Sequence, residues 1–189
     1  RRERSGGYLD LKNKICILHL YHNRDRSIWE NWARISFKVN SDEFKMMKDL
    51  EIRLIKNKKE LEEVFKVREV VFIKGQNCPR ECEMDGLDDD AEHIIVKNRG
   101  KTIGCARVRF LENKAKLERI ALLENYRGKG FGREIMNYLI KYCKGRKVEE
   151  IFLHSQVYVK DFYKKFGFKP RGKVFLEAGI EHIEMYMKV

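Results

Sequence analysis

Little in this sequence interrupts or anchors a chain. Only two prolines occur in 189 residues, so no Pro-rich linker divides it. No stretch reaches the roughly 18 apolar residues that suggest a membrane-spanning helix. The first residues lack the basic-then-apolar order of a secretory signal. Cysteine is scarce and odd in number: Cys16, Cys78, Cys82, Cys105 and Cys143 make five. Their scatter argues against a disulfide framework and points to reduced thiols in a cytoplasmic protein. Cys78-x-x-x-Cys82 with His93 is not a usual zinc spacing and no second pair follows. Asp85-Gly86 alone does not make a calcium loop. No metal is therefore expected. Also missing are the dinucleotide G-x-G-x-x-G and the Walker G-x-x-x-x-G-K-[ST].

Charge is plentiful and uneven. The net charge is +12. Residues 51–96 carry 8 Lys and Arg against 12 Asp and Glu, whereas residues 97–189 carry 22 against 10. A basic second half suits an anionic ligand, with nucleic acid the rival partner. No helix-turn-helix, zinc-finger or aromatic RNA-binding signature supports that rival.

One stretch organises the rest, KLERIALLENYRGKGFGR from Lys116 to Arg133. Leu117, Ile120, Ala121, Leu122 and Leu123 read as a strand, Gly128, Gly130 and Gly132 as a loop, and the residues beyond as an amphipathic helix. Glycine permits positive φ and close approach of backbone to ligand. A helix N-terminus offers unpaired amides and a positive dipole end, which suits phosphate. Arg127, Lys129 and Arg133 add charge there. The expectation is a site for a phosphate-bearing cofactor.

In chain order, residues 1–50 carry no motif. Strands are expected at 15–21 and 34–39, with a short helix or turn at 27–33. Met46 or Met47 is a candidate natural start, which would leave 1–45 as an appendage. Glu51–Ile55 alternates as a first core strand. Asn57 and Glu60 resemble a capping box, opening a helix to about Ile73 with Leu61, Val64, Phe65, Arg68, Val71 and Phe72 at helical spacing. Gly75–Glu92 is an acid-rich loop, read either as a solvated turn or as an electronegative mouth for a cationic acceptor. His93–Lys97 and Lys101–Phe110 form a hairpin about Asn98-Arg99-Gly100, and Ala115–Leu123 continues the meander. The helix after the glycine loop ends near Lys144-Gly145. Val148–His154 is a further strand, Ser155 a candidate N-cap for a helix over 156–166, and 174–176 with 182–189 a closing hairpin.

RGKGFG, from Arg127 to Gly132, resembles the acetyl-CoA loop [RQ]-x-x-G-x-[GA] of the GNAT superfamily of N-acetyltransferases. FYKKFGF, from Phe162 to Phe168, matches that family's FY-x-x-x-GF signature. Val71, Phe72, Gln76, Pro79, Asp85 and His93 fit the pattern of its ElaA-like branch, with Gly75 where that branch usually has glutamate. The resemblance covers about residues 51–189, taken as the acetyltransferase domain behind an N-terminal extension over 1–50. It implies an α+β fold, a mixed, mostly antiparallel twisted sheet flanked by helices. It also implies acetyl-CoA as co-substrate, with Arg127, Gly128, Lys129, Gly130, Phe131, Gly132 and Arg133 at the pyrophosphate. Backbone groups of Ile120, Ala121 and Leu122 would lie along the pantetheine arm and acetyl carbonyl.

Transfer from a thioester to an amine needs proton removal, oxyanion donors and a protonated or stabilised leaving thiolate. By resemblance Tyr163 is the candidate acid, since a phenol with pKa of about 10 stays protonated at neutral pH; Tyr158 is the fallback. Glu118 is the candidate base. Strict alternation would put it on one face with Ile120 and Leu122. His154, with Gln156 beside it, is a second base or an orienting group, and ordered water is a third possibility. No cysteine has a motif context, so attack is expected to be direct. The leading function is acetyl-CoA-dependent acetylation of a primary amine, on a small molecule or a protein. The alternative is a non-catalytic acyl-CoA-binding or sensing module. The closing hairpin could pair across a homodimer.

Overall fold

The computed structural model describes residues 47–189. The elements expected at 15–21, 27–33 and 34–39, and the appendage over 1–45, lie outside the described residues.

Seven strands form one sheet: β1 (Leu50–Leu54), β2 (Glu92–Asn98), β3 (Lys101–Leu111), β4 (Lys114–Leu122), β5 (Glu150–Gln156), β6 (Lys169–Glu177) and β7 (Ile180–Lys188). Their spatial order is β1-β2-β3-β4-β5-β7-β6. Only β4 and β5 pair in parallel, and the helix over Phe131–Gly145 supplies the long connection that a parallel pair needs. The remaining neighbours are antiparallel. The Arg99-Gly100 turn has φ of 51° and 73°, the two left-handed residues that a tight hairpin requires.

Two helices cover the faces. α1 (Lys58–Arg68) is capped by Asn57, whose side chain accepts from the Glu60 amide at 3.1 Å. The Glu60 carboxylate reaches back to the Lys56 amide at 2.8 Å and receives both Arg53 nitrogens at 2.7 and 2.6 Å. The first turn of α1 is thereby tied to β1. The helix runs on through a wider π-helical stretch, Glu69–Lys74. Val64, Val67 and Val71 pack on Ile95, Cys105 and Ala121. On the other face α3 (Phe131–Gly145) sets Phe131, Ile135, Met136, Leu139 and Cys143 against Ala115, Leu117, Ile151 and Leu153. Each such large apolar side chain stabilises by about 1.5–3 kcal/mol when fully buried.

Two short helices, α2 (Arg80–Glu83) and α4 (Lys160–Lys164), complete the chain. The helix expected over 156–166 is shorter and begins later. Ser155 is no N-cap: it is a buried β5 residue opposite Ile183, its hydroxyl bonded to the Gln156 carbonyl at 2.9 Å. Sheet pairing outweighs the local capping preference there.

Between the pairs Cys105↔Ala121 and Arg107↔Glu118, β3 contributes one residue and β4 two, Arg119 and Ile120. This is a β-bulge, with Arg119 at φ 51°. Gly104 pairs with Leu122 just beyond it, and a Cβ there would fall 2.7 Å from the Ala121 carbonyl oxygen. The bulge corrects the expectation of strict alternation. Ile120 and Leu122 pack towards α3, while Glu118 lies on the opposite face with Arg107 and Arg109.

Candidate active site

The β4–β5 pairing stops at Leu117↔Leu153, although β4 runs to Leu122 and β5 to Gln156. Beyond that point β4 stays with β3 and β5 with β7. The sheet therefore parts between two parallel strands. The β4 backbone over Ile120, Ala121 and Leu122, unpaired with β5, runs along one edge of the opening.

The glycine loop stands where β4 leads into α3. Gly128 and Gly130 have φ of 74° and 85°, and a Cβ on Gly128 would meet nothing within 4 Å. No side chain caps α3, whose first amides lack intrahelical partners by geometry. The loop thus fits a pyrophosphate through its backbone. Phe131 turns its side chain into the core, so any ligand contact it makes is through its amide. Arg127 Nε donates to the Leu122 carbonyl at 2.9 Å and Lys129 Nζ to the Asn125 carbonyl at 2.8 Å. Both brace the loop, and Arg133 is exposed.

α4 closes the far side. A Cβ on Gly132 would lie 3.5 Å from the Phe162 ring, so the start of α3 and the helix bearing Tyr163 are in contact. Tyr163 packs edge-on to Phe162 and Phe168. Burial, with a smaller contribution from neighbouring Tyr158, pushes its phenol up to about 12. It remains a proton donor at neutral pH. The Tyr158 hydroxyl bonds Gln156 Oε1, and Gln156 Nε2 donates to Gln76 Oε1 at 3.0 Å. The end of β5 is thus linked to the segment after the π-helical stretch.

On the face opposite α3, four arginines meet four acids. Arg68 and Arg107 are fully buried. Arg68 bonds Glu83 at 2.5 Å and Asp88 at 2.6 Å. Arg107 holds Asp85 at 2.7 and 2.6 Å and approaches Glu118 at 3.1 Å. Arg119 reaches Glu83 at 2.9 Å, Asp85 at 3.0 Å and the Cys82 carbonyl at 2.8 Å. Burial alone would raise the Glu118 carboxyl, but hydrogen bonds from Arg109 and Lys116 and the nearby Arg107 charge outweigh it and hold it at about 2. Glu118 is therefore held ionised between Arg107, Arg109 and Lys116, an arrangement that does not favour the role of base expected for it. Likewise Glu83, Asp85 and Asp88 are neutralised by arginines, so this part of the acid-rich segment is a clamp and no electronegative mouth. Glu81, Asp89 and Asp90 are exposed. Burial lowers the His93 pKa and keeps the ring neutral, its Nε2 3.0 Å from the Asp88 carbonyl oxygen.

His154 lies beyond this cluster on the same face, by alternation with buried Leu153. Its Nδ1 is 2.9 Å from Glu177 Oε2, and its ring stands edge-on to Phe175 at 4.9 Å. Sequence reasoning missed Glu177, the arginine cluster and the Gln76–Gln156 bond, all contacts between residues distant in the chain. Cys78, Cys82, Cys105 and Cys143 are free. Among the described residues no His, Cys, Asp and Glu group is arranged to hold a metal, and no helix is long and apolar enough to cross a membrane. A concavity of about 540 Å³ between β1 and α3, lined by Leu50, Ile52, Asn137 and Tyr138 among others, holds none of the reacting groups.

A sheet parted between parallel strands, with a glycine loop at a helix N-terminus beside the gap, defines an acyl-CoA N-acyltransferase fold. The chain belongs to the GNAT acetyltransferase family: the family model described as "Acetyltransferase (GNAT) domain" matches residues 47–189. It is 40% identical over 133 residues to the uncharacterized N-acetyltransferase YjcF of Bacillus subtilis, covering 70% of this chain and 95% of that protein. It is 30% identical over 133 residues to the protein ElaA of Escherichia coli, covering 67% and 86%. The crystal structure of E. coli ElaA superposes with a TM-score of 0.66 at 26% identity, covering 72% of this chain and 98% of that one. The protein is thus an acyltransferase with acetyl-CoA as co-substrate.

Proposed function

We propose that residues 51–189 transfer an acetyl group from acetyl-CoA directly to a primary amine, with Tyr163 as acid and His154 as base. The observation that carries this reading is the contact of α4 with the glycine loop through Phe162 and Gly132. This contact supports an acid on the Tyr163 helix at the end of the gap. His154 Nε2 takes one proton from the arriving ammonium. The amine lone pair then forms the N–C bond, and the C–S bond breaks with its electron pair going to sulfur. Tyr163 gives that sulfur its proton and recovers one from the nitrogen. The β4 amides beyond the bulge donate to the carbonyl oxygen as charge develops.

Tyr163→Phe tests this with thiol release measured against a panel of primary amines. A general acid contributes roughly 10²–10⁴ in rate. A loss of at least 100-fold in kcat is expected, with acetyl-CoA Kd unchanged. Wild-type turnover by the variant would remove Tyr163 from the mechanism.

A further inference from the structure

Two carboxylates converge on His154, and no other element of the described chain supplies it with a hydrogen-bond partner. Glu177 is the last residue of β6, immediately before the Ala178-Gly179 turn whose φ angles are 49° and 77°. That tight turn fixes where Glu177 stands. Glu184 of β7 is directly opposite His154 in register. Glu177 Oε2 lies 2.9 Å from Nδ1, and Glu184 Oε2 lies 3.9 Å from Nε2. The two acids are not equivalent. Glu184 is already engaged by Arg171, which also holds Glu150. Among the described residues Glu177 has His154 as its hydrogen-bond partner; that bond, then the charges of His154, His182 and Lys116, lowers its carboxyl against the effect of burial. The Phe175 ring stands edge-on against the imidazole at 4.9 Å.

We infer that Glu177 is a positioning residue: it fixes the proton of His154 on Nδ1 and leaves Nε2 as the basic nitrogen that faces the acceptor. This rests on the acetyl-transfer reading above and deepens it. A carboxylate ion accepts only, so a neutral ring bonded to Glu177 through Nδ1 carries its proton there. The lone pair of Nε2 then sits 3.9 Å from a second acceptor, Glu184. An acceptor arriving as an ammonium satisfies both at once, donating to Nε2 and Oε2. Proton removal by Nε2 leaves an imidazolium that Glu177 stabilises. Charged groups facing this pair are Glu184 and His182 from β7, Lys116 from β4, and Arg171 through Glu184. Cys78, whose thiol is pushed up chiefly by burial and in smaller part by Glu83, Cys82 and Glu177, joins them from the segment after the π-helical stretch.

The test combines long-range ¹H–¹⁵N spectra of the full chain with steady-state kinetics, on wild type, Glu177→Gln, Glu177→Asp and His154→Gln. Glu177 is half exposed, so its variants should fold. In wild type above neutral pH the neutral imidazole is expected to show its proton on Nδ1. In Glu177→Gln, a substantial fraction should move to Nε2, and Glu177→Asp should restore most of the Nδ1 form. With spermidine and phenethylamine as probe amines, Glu177→Gln should lower kcat 10- to 100-fold with acetyl-CoA KM unchanged. The aspartate variant should recover part of that loss. An Nε2-bound proton in wild type, or a Glu177→Gln spectrum identical to wild type, would overturn the inference. Calorimetry with acetyl-CoA on the same samples keeps the two readings apart. Loss of acetyl-CoA binding in wild type sinks the acetyl-transfer reading, whereas the tautomer result decides Glu177 whether or not either amine turns over.

Discussion

The two sides of the gap are built from different materials. On the proposed donor side the groups are backbone: the glycine loop, the first turn of α3 and the bulged end of β4. On the proposed acceptor side they are side chains drawn from β3, β4, β5, β6 and the segment after α1. These are held by ion pairs such as Arg68–Glu83 and Arg107–Asp85 and by the His154–Glu177 hydrogen bond. A backbone site tolerates change in everything except the residues that set its dihedrals. A side-chain site depends on partners far apart in sequence, each expensive to lose once buried. The first arrangement suits a co-substrate with a fixed phosphate geometry. The second lets the acceptor surface vary while the fold stays the same.

The difference can be broken most sharply at Arg107. Arg107→Leu would leave Asp85, Asp88 and Glu118 without their shared cation in a buried cluster. A loss of about 3–5 kcal/mol in unfolding free energy is expected, read by urea denaturation. A loss below about 1 kcal/mol would mean the cluster is solvated and the acceptor side is not anchored as described.

Acid should attack the same side next. Burial lowers the His93 pKa, so unfolding takes up a proton as the pH falls below about 6.5, and stability declines from there. The carboxyl of Glu118 is held at about 2, and those of Asp85 and Asp88 are also lowered. Their stabilisation is present above about pH 4.5 and fades as pH falls towards 2. Glu83 runs the other way, since burial raises its carboxyl, and it offsets part of the slope. The urea midpoint should therefore fall gently from pH 7 to 5 and steeply below 4.5. A flat profile from pH 7 to 3.5 would contradict the paired state of these acids.

The same contrast explains what the sequence could convey. The strand–glycine loop–helix run from Lys116 to Arg133 was legible because its signals are local: apolar run, glycine spacing, amphipathic helix. The Arg99-Gly100 hairpin turn was legible for the same reason. The bulge was not. Nothing in Glu118-Arg119-Ile120 announces an arginine at positive φ, and the acids that hold its side chain, Glu83 and Asp85, lie 36 and 34 residues away. One inserted residue then moved Glu118 to the opposite face from Ile120 and Leu122. Ser155 had the chemistry of a helix cap, and the competing claim came from Ile183 on β7. The acids of residues 83–88 looked like a solvated or substrate-attracting run because the arginines opposite them belong to α1, β3 and β4.

The most direct measurement is calorimetry of acetyl-CoA with wild type and Gly130→Asp, with Glu177→Gln as the acceptor-side control. Gly130 sits at φ 85° at the start of α3. A carboxylate there strains the backbone by roughly 1–3 kcal/mol and sets a negative charge where the pyrophosphate must lie. Gly130→Asp is expected to weaken acetyl-CoA at least tenfold while Glu177→Gln binds it as wild type does. Unchanged affinity in Gly130→Asp, or an equal loss in both variants, would contradict a donor site made of backbone and separate from the acceptor face.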